Sequence, residues 1–338
     1  MMPASSPFGL HRVLGQRAML PQPADRLDAR MPCQDTELEI EVEQLHVDAS
    51  SLRQMREAHH GDLEAVRQAI VSLVRERGKL HNPVTGSGGM LTGVVRAVGP
   101  AYLQPPSVGT RIASLASLTL TPLRLDELGA IDAVSNSVSA RGTAFLFQSS
   151  PWTEMPADIP EEVALAAFDV AGAPARVAAR TKAGSRVLIV GAGNSGSLAA
   201  VAAAEAGAGE VLVADIDAMR LNAIAGLGIN AIGTLHCDAT DSVGFMAQVG
   251  APADLTASCV DLPGVESACV LATKTDGHIL FFSMATSFAR AALGAEGVGS
   301  AATLEIGNGF YKGHAHQVVG LLRRHRKLWG MLTHRHRP

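Results

Sequence analysis

A short apolar run that leads directly into a glycine-rich turn constrains the fold of this chain more than any other feature. Residues 186–190 read Arg-Val-Leu-Ile-Val, the continuous apolar run that a buried parallel strand shows. The turn at 191–196 reads Gly-Ala-Gly-Asn-Ser-Gly, and an alanine-rich helix candidate follows it. A second strand candidate at 210–215 comes next. This order predicts a strand–turn–helix–strand unit that binds a dinucleotide.

Each glycine of the turn has a separate expected role. Gly191 permits the tight turn, Gly193 lets the backbone approach a pyrophosphate, and Gly196 lets the helix pack on the strand. Asn194 and Ser195 lie where the helix begins, so their N–H groups face the phosphates. Because a strand precedes the turn and a helix follows it, we expect a cofactor here and not a glycine turn without a ligand.

The end of the second strand predicts which dinucleotide binds. Asp215 stands there, and its carboxylate would accept hydrogen bonds from the ribose hydroxyls and repel a 2′-phosphate. The predicted cofactor is therefore NAD. If the strand extends further, Asp217 accepts the ribose hydrogen bonds instead of Asp215. NADP stays a minor alternative, because Arg220 is a nearby cation.

The chain changes character near residue 160. Before it, residues 37–47 alternate apolar and charged side chains as a half-buried strand does, and residues 50–77 suit one or two helices with a break at Gly61-Asp62. Short strands with glycine and proline between them suggest a compact β-barrel-like domain. Residues 161–179 are helical in composition, with a kink expected at Pro174, and strands then alternate with helices. That alternation predicts a parallel sheet covered by helices on both faces.

Composition excludes several classes of protein. Apolar residues make up 47% of the chain and the formal net charge is −4, so no global field attracts nucleic acid or an anionic membrane. The four cysteines lie far apart, which argues against a zinc ribbon or a disulfide framework. No apolar run is long enough to span a membrane, and we expect a cytoplasmic protein. The basic residues of 323–327 and 334–337 are interpreted as a solvated helix end.

Residues 88–95, Gly-Gly-Met-Leu-Thr-Gly-Val-Val, together with 98–99 and 108–112, resemble a conserved stretch of the medium-chain dehydrogenase/reductase superfamily. The resemblance implies a GroES-like β-rich catalytic domain at 1–160, completed by the tail 311–338, and a Rossmann doubly wound parallel-sheet domain at 161–310. It also implies a homo-oligomer, a dimer or larger, paired through an edge strand at 302–306. Where zinc enzymes of the superfamily have His-Glu, this chain has Gly89-Met90. Asp48 and Asp169 fall at the other two ligand positions, and two carboxylates without the histidine make a poor zinc site, so we predict no bound metal.

Longer segments carry a narrower resemblance. Residues 18–22, 76–91 and 169–174 resemble the L-erythro-3,5-diaminohexanoate dehydrogenase family, and the central segment is compositionally unusual. The resemblance implies NAD-dependent oxidative deamination of (3S,5S)-3,5-diaminohexanoate to 5-amino-3-oxohexanoate, a step of lysine fermentation. The substrate would thus be a small amino acid with two ammonium groups.

The candidate catalytic residues each have a structural alternative. Asp48 and Asp169, if they face one cleft beside the nicotinamide, would meet the two ammonium groups. Asp48 equally suits a helix cap, and Asp169 suits a buried ion pair. Ser50 is either a proton relay or part of that cap. His81 with Lys79 either binds the substrate carboxylate or packs as loop structure, and one carboxylate or a nearby histidine must act as the base.

Two other functions remain open on the sequence. One is a zinc-free carbonyl, quinone or enoyl reductase of the same superfamily, for which NADPH is the usual cofactor and an acidic pocket is unnecessary. The other is a non-catalytic NAD(H)-binding protein that keeps the fold without turnover. Asp215 and the acidic pair argue against the reductase, and formation of NADH in the presence of a diaminohexanoate would exclude the non-catalytic protein.

Overall fold

The computed structural model describes residues 5–15 and 19–333. The chain divides into two compact units, Met1–Leu165 and Ala166–Pro338. Part of the basic tail interpreted above as a solvated helix end, residues 334–337, lies outside the described residues. None of the helices in the described ranges is long and apolar enough to cross a membrane.

The described strands of the first unit form one antiparallel sheet in the order β4-β5-β1-β2-β3-β6. The strands are β1 (Glu37–Val47), β2 (Gly89–Val98), β3 (Arg111–Ser114), β4 (Leu123–Asp132), β5 (Ser137–Phe147) and β6 (Trp152–Glu154). The predicted bounds of β1 are confirmed, because its alternating pattern places one face in the core. The register of β1 against both neighbours shifts between Val42 and Gln44, and such a bulge bends and twists the sheet.

Two helices follow β1. They are α1 (Ala49–Ala58) and α2 (Leu63–Arg77), and the predicted break at Gly61-Asp62 is confirmed. Each begins at an aspartate, since Asp48 accepts hydrogen bonds from the first amides of α1 and Asp62 does the same for α2. Side chains of α2 at positions 66, 70 and 74 are buried in the core that they share with the sheet. The helix pair therefore fixes the end of β1, where Asp48 stands.

The described strands of the second unit form a parallel sheet in the order β12-β11-β10-β7-β8-β9. The strands are β7 (Arg186–Val190), β8 (Glu210–Asp215), β9 (Ile232–His236), β10 (Ala253–Ser258), β11 (Thr273–Phe281) and β12 (Thr303–Ile306). The chain moves outward from β7 to β9 and then returns to β10 on the other side of β7. In sheets of this kind, ligands bind at the carboxyl ends of the strands beside such a reversal.

Helices precede, connect and follow these strands, and the last described helix ends at Thr333. They are α3 (Glu161–Phe168), α4 (Gly172–Arg180), α5 (Asn194–Glu205), α6 (Ala218–Ala225), α7 (Ser242–Val249), α8 (Glu266–Leu271), α9 (Phe288–Gly297), α10 (His314–Arg324) and α11 (Lys327–Thr333). The kink expected at Pro174 is absent, since the break falls at residues 169–171 instead. Pro174 lies in the first turn of α4, where a helix has no need of the missing N–H.

The described part of the tail packs against helices of the second unit. That the tail completes the catalytic domain, as the superfamily resemblance implies, stays a prediction. Helix α10 buries Val318, Leu321 and Leu322. Its last residue, Arg324, donates through Nε and Nη2 to the carboxylate of Glu205 on α5, at 2.8 and 2.6 Å. An amphipathic helix needs an apolar partner for its buried face, and α4 and α5 provide it.

Candidate functional site

The turn between β7 and α5 has the geometry that a tight approach of helix to strand requires. Gly191 has φ +103°, a value that side chains rarely tolerate. A Cβ at Gly196 would lie 1.8 Å from the carbonyl oxygen of Gly191 and 3.2 Å from Cγ2 of Ile189. Both positions therefore exclude any residue larger than glycine.

The middle glycine of the turn borders open space. Among the residues that the structure describes, a Cβ at Gly193 would meet only Nη1 of Arg220 within 4 Å, at 3.8 Å. Gly193 is the N-cap of α5 and supplies no side-chain cap. Because the first backbone bond of the helix runs from Ser197 N to Gly193 O, the amides of residues 194–196 have no acceptor within the helix. Three amides without an acceptor in the helix, together with a nearby guanidinium, form a site that fits a pyrophosphate.

Asp215 closes this turn from the neighbouring strand. Its Oδ2 accepts a hydrogen bond from the amide of Ala192 at 2.6 Å, and its Oδ1 accepts one from Asp217 N at 2.8 Å. Asp217 is itself the N-cap of α6 and lies 3.2 Å from Nε of Arg220. The two aspartates thus have different surroundings, and Asp215 is the one held against the glycine turn.

The side chain of Ser195 lies beside the thiol of Cys259, directly after β10. Burial raises the pKa of Cys259 to about 12, and the hydroxyl of Ser195 opposes this increase only in part. The thiol is therefore protonated at neutral pH and is not a nucleophile.

In the first unit, Asp48 serves as the cap that the sequence left as an alternative. Its Oδ1 accepts hydrogen bonds from Ser50 N at 2.9 Å and Ser51 N at 3.1 Å. The same oxygen accepts from Oγ of Ser50 at 2.5 Å and Oγ of Ser87 at 2.9 Å. No described residue donates to Oδ2. One oxygen of this carboxylate is therefore fixed, and the other remains for a further donor.

Four hydroxyl side chains, which we call the hydroxyl cluster, contact Asp48 or one another beside it: Ser50, Ser51, Thr85 and Ser87. Oγ of Ser51 lies 2.6 Å from Oγ of Ser87 and 2.6 Å from Oγ1 of Thr85. The loop that carries Thr85 and Ser87 is fixed to α1, because Nδ2 of Asn82 donates to Gln54 at 2.9 Å. The sequence pointed to Ser50 as a site residue and to the loop from Thr85 to Gly89 as an active-site wall, but it gave the side chains of Ser51, Thr85 and Ser87 no catalytic role. The alternation of hydroxyls at 85 and 87 is a signal only once α1 is known to lie beside the loop.

His81 and Lys79 lie at the start of that loop in different surroundings. Lys79 is fully buried, and its Nζ donates to the carbonyl oxygens of Pro21 and Gln22 at 2.8 and 2.9 Å. For Lys79 these contacts favour loop structure, the second of the two alternatives that the sequence left open. Burial, with the charges of Lys79 and Arg77, lowers the pKa of His81. Its Nδ1 is buried and has no hydrogen-bond partner in the described part of the chain.

Asp169 is half-buried in the break between α3 and α4, and it already has an interaction partner within the protein. The start of α4, directly after the break, packs closely within the second unit, since a Cβ at Gly172 would lie 2.5 Å from the carbonyl oxygen of Asn308. Asp48 and Asp169 belong to different units, so their shared pocket stays a prediction.

The residues at the superfamily's zinc positions do not fit a zinc centre. Gly89 has φ +108°, and a Cβ there would lie 2.0 Å from the carbonyl oxygen of His46. A histidine cannot stand at this position without moving β1. Met90 is buried, and no group of three or more potential ligand side chains was found among the described residues.

Comparison with known proteins identifies close relatives. Residues 11–156 match the family model described as the L-erythro-3,5-diaminohexanoate dehydrogenase N-terminal domain. The chain is 39% identical to L-erythro-3,5-diaminohexanoate dehydrogenase of Fusobacterium nucleatum, with 91% of this chain and 92% of the relative covered. It is 37% identical to the protein of the same name from Acetoanaerobium sticklandii, with 94% of each chain covered.

Solved structures agree on the fold. Galactitol-1-phosphate dehydrogenase from Escherichia coli superposes with a TM-score of 0.55 over 88% of this chain and 84% of its own. The two sequences are 16% identical, so this likeness extends to the medium-chain dehydrogenase fold alone. It confirms the predicted combination of a β-rich domain with a Rossmann parallel sheet.

Proposed function

The chain belongs to the L-erythro-3,5-diaminohexanoate dehydrogenase family, and we propose that its substrate is (3S,5S)-3,5-diaminohexanoate. It is an oxidoreductase that works with a nicotinamide cofactor. The proposed reaction consumes the 3-ammonium substrate, oxidised cofactor and water, and it yields 5-amino-3-oxohexanoate, ammonium, reduced cofactor and one proton. The extent of the match carries the proposal, because the two relatives of this name are covered over 92% and 94% of their length.

The proposed cofactor is NAD. A carboxylate at the end of β8 accepts hydrogen bonds from ribose hydroxyls and repels a 2′-phosphate, and Asp215 is that carboxylate. Each of its oxygens accepts one backbone N–H and keeps a second lone pair for a hydroxyl. Arg220, the cation that a 2′-phosphate would need, is engaged with Asp217.

Within the first unit, we assign different tasks to Asp48 and His81. When bound, the cofactor accepts the hydride that leaves C3 of the substrate. Asp48 binds an ammonium group through Oδ2, a charge-assisted hydrogen bond that contributes about 1.5–3 kcal/mol. His81 takes the proton that the C3 ammonium must lose first, because its lowered pKa keeps the ring neutral near pH 7. Ser50 helps to hold Asp48 in place.

Asp169 is proposed as the carboxylate for the second ammonium group. Its support is local: it is half-buried in the break between α3 and α4, and a carboxylate is the group that forms a charge-assisted hydrogen bond with an ammonium group. Asp169→Asn keeps the volume and removes the charge. We expect this variant to weaken substrate binding and to leave NAD binding unchanged.

We further propose a homo-oligomer in a reducing cytoplasm. Strand β12 is an edge of the parallel sheet, and its last residue, Ile306, is 66% exposed. Pairing of β12 with its copy would satisfy the free edge and cover that side chain. All four cysteines are free thiols, as a reducing compartment allows. Light scattering on wild type and Ile306→Asp tests the assembly, and a wild-type monomer would refute it.

The direct test is turnover by the purified protein. It should form NADH from (3S,5S)-3,5-diaminohexanoate, release ammonium in equal amount, and work far less well with NADP. NADPH-dependent reduction of carbonyls or quinones, without activity on the diamine, would instead indicate a reductase. Tight binding of NAD without turnover of amines or carbonyls would indicate a non-catalytic binding protein.

A further inference from the structure

The hydroxyl cluster forms a chain of donors with one direction. Each hydroxyl has a single hydrogen, and the hydrogen of Ser87 points to Oδ1 of Asp48. The 2.6 Å contact between Ser51 and Ser87 therefore uses the hydrogen of Ser51, for which the carbonyl oxygen of Ser87, at 3.3 Å, is a more distant second acceptor. By the same count, the 2.6 Å contact between Thr85 and Ser51 uses the hydrogen of Thr85. Oγ1 of Thr85 also lies 3.0 Å from Oγ of Ser87, so Thr85 contacts both serines, and the shortest contacts lead from Thr85 through Ser51 and Ser87 to Asp48.

This chain of hydroxyls is shielded from water, and α1 and the loop hold it in place from either side. Ser51 is 1% exposed, so water does not replace its hydroxyl. Its own amide also donates to Oδ1 of Asp48, which places Ser51 at the junction of helix and loop. The loop cannot drift away, since Asn82 accepts from Gly86 N at 2.9 Å and donates to Gln54 on α1.

We infer that Ser51, Thr85 and Ser87 are positioning residues that fix Oδ1 of Asp48 and leave Oδ2 as the oxygen that meets an ammonium group of the substrate. The assignment rests on the proposed function for the identity of that substrate. Donors arranged in series polarise one another, so the hydroxyl of Thr85 acts on Asp48 without touching it.

The matched test changes Thr85, the hydroxyl that lies furthest from Asp48 in this series of donors. Thr85→Val keeps the shape and removes the hydroxyl, whereas Thr85→Ser keeps the hydroxyl. For Thr85→Val we expect KM for 3,5-diaminohexanoate to rise about three- to tenfold with kcat changed less than about twofold, and for Thr85→Ser we expect both within about twofold of wild type. Ser87→Ala, which removes the last donor, should raise KM at least as much. Binding of NAD, measured by calorimetry without substrate, should be unchanged in all three variants.

Two results would overturn the inference. One is equal kinetics of Thr85→Val and wild type; the other is an equal fall of kcat in Thr85→Val and Thr85→Ser, which would indicate loop packing alone. Crystal structures of the two variants supply a readout that needs no turnover. The carboxylate of Asp48 should rotate in Thr85→Val and stay in Thr85→Ser, and an unmoved carboxylate in both refutes the positioning role. If wild type fails to oxidise the diamine, the proposed function fails, and these structures still decide the inference.

Discussion

The amide of Ala192 donates to Oδ2 of Asp215 at 2.6 Å, so the residue assigned to the cofactor ribose also closes the glycine turn. One side chain thereby links the ends of β7 and β8. The arrangement implies that changes at Asp215 alter both the shape of the turn and the choice of cofactor.

Replacing Asp215 should separate these two roles. Asp215→Asn keeps an acceptor for the amide but removes the charge that repels a 2′-phosphate. We expect the Kd for NAD to rise about tenfold, which is about 1.4 kcal/mol, and the preference for NAD over NADP to fall. Titration with both cofactors measures this. Asp217→Asn is the control, because asparagine also caps α6, and an equal loss of preference there would assign the role to Asp217.

Alanine substitutions at two glycines of the turn should affect different properties, cofactor binding at Gly193 and stability at Gly196. Gly193→Ala places a methyl group in open space, so we expect an unchanged melting temperature with NAD binding weakened by about tenfold or more. Gly196→Ala places one 1.8 Å from a backbone oxygen and should destabilise the fold. Thermal unfolding with and without NAD tests both variants. If Gly193→Ala binds NAD normally, the pyrophosphate does not rest there.

The pH dependence should reflect His81. Its folded-state pKa is lowered, so the ring stays neutral to a lower pH than in the unfolded chain. The contribution of His81 to stability is thus present above about pH 6.5 and is lost as pH falls through the lowered pKa. We expect kcat/KM to decline over the same acidic range.

Arg77 provides the matched change for this prediction. Its charge is one of the causes that lower the pKa of His81, so Arg77→Gln should move the acidic decline of kcat/KM toward pH 6.5. Arg75→Gln, on the exposed side of the same helix, is the control and should leave it in place. A profile that is identical in wild type and Arg77→Gln would argue against His81 as the base.

Metal removal should have no effect on turnover. Gly89 has no room for the histidine of a zinc site, and Asp48 already has one oxygen fully engaged. We expect elemental analysis of purified protein to find no stoichiometric zinc and chelators to leave activity unchanged. One tightly held ion per chain, lost together with activity, would contradict this expectation.

The sequence predicted the elements whose signals are local. The apolar run before Gly191 predicted β7, and the alternation of residues 37–47 predicted β1, because each pattern repeats within one element. The kink predicted at Pro174 was wrong, because a proline kinks a helix in its interior but not in its first turn, where Pro174 lies.

The residues that contact Asp48 in space were harder to predict from the sequence. Asp48 could be identified as a cap and a site candidate at once, and it is now seen to cap α1 through a single oxygen. Ser51 and Ser87 are 36 residues apart, and nothing local brings them together. Their contact depends on the pairing of β1 with β2 and on the packing of the loop against α1, which are tertiary features.

The comparison of two helix-capping aspartates tests the account most directly. Asp48 and Asp62 cap α1 and α2 in the same way, and asparagine preserves both caps. Asp48→Asn should lower kcat/KM for 3,5-diaminohexanoate about 10- to 150-fold, as loss of a charge-assisted hydrogen bond of about 1.5–3 kcal/mol implies, while Asp62→Asn should leave it near wild type. Melting temperatures should be alike in the two variants. Full activity of Asp48→Asn, or an equal loss in Asp62→Asn, would contradict the assignment of Asp48 to the substrate.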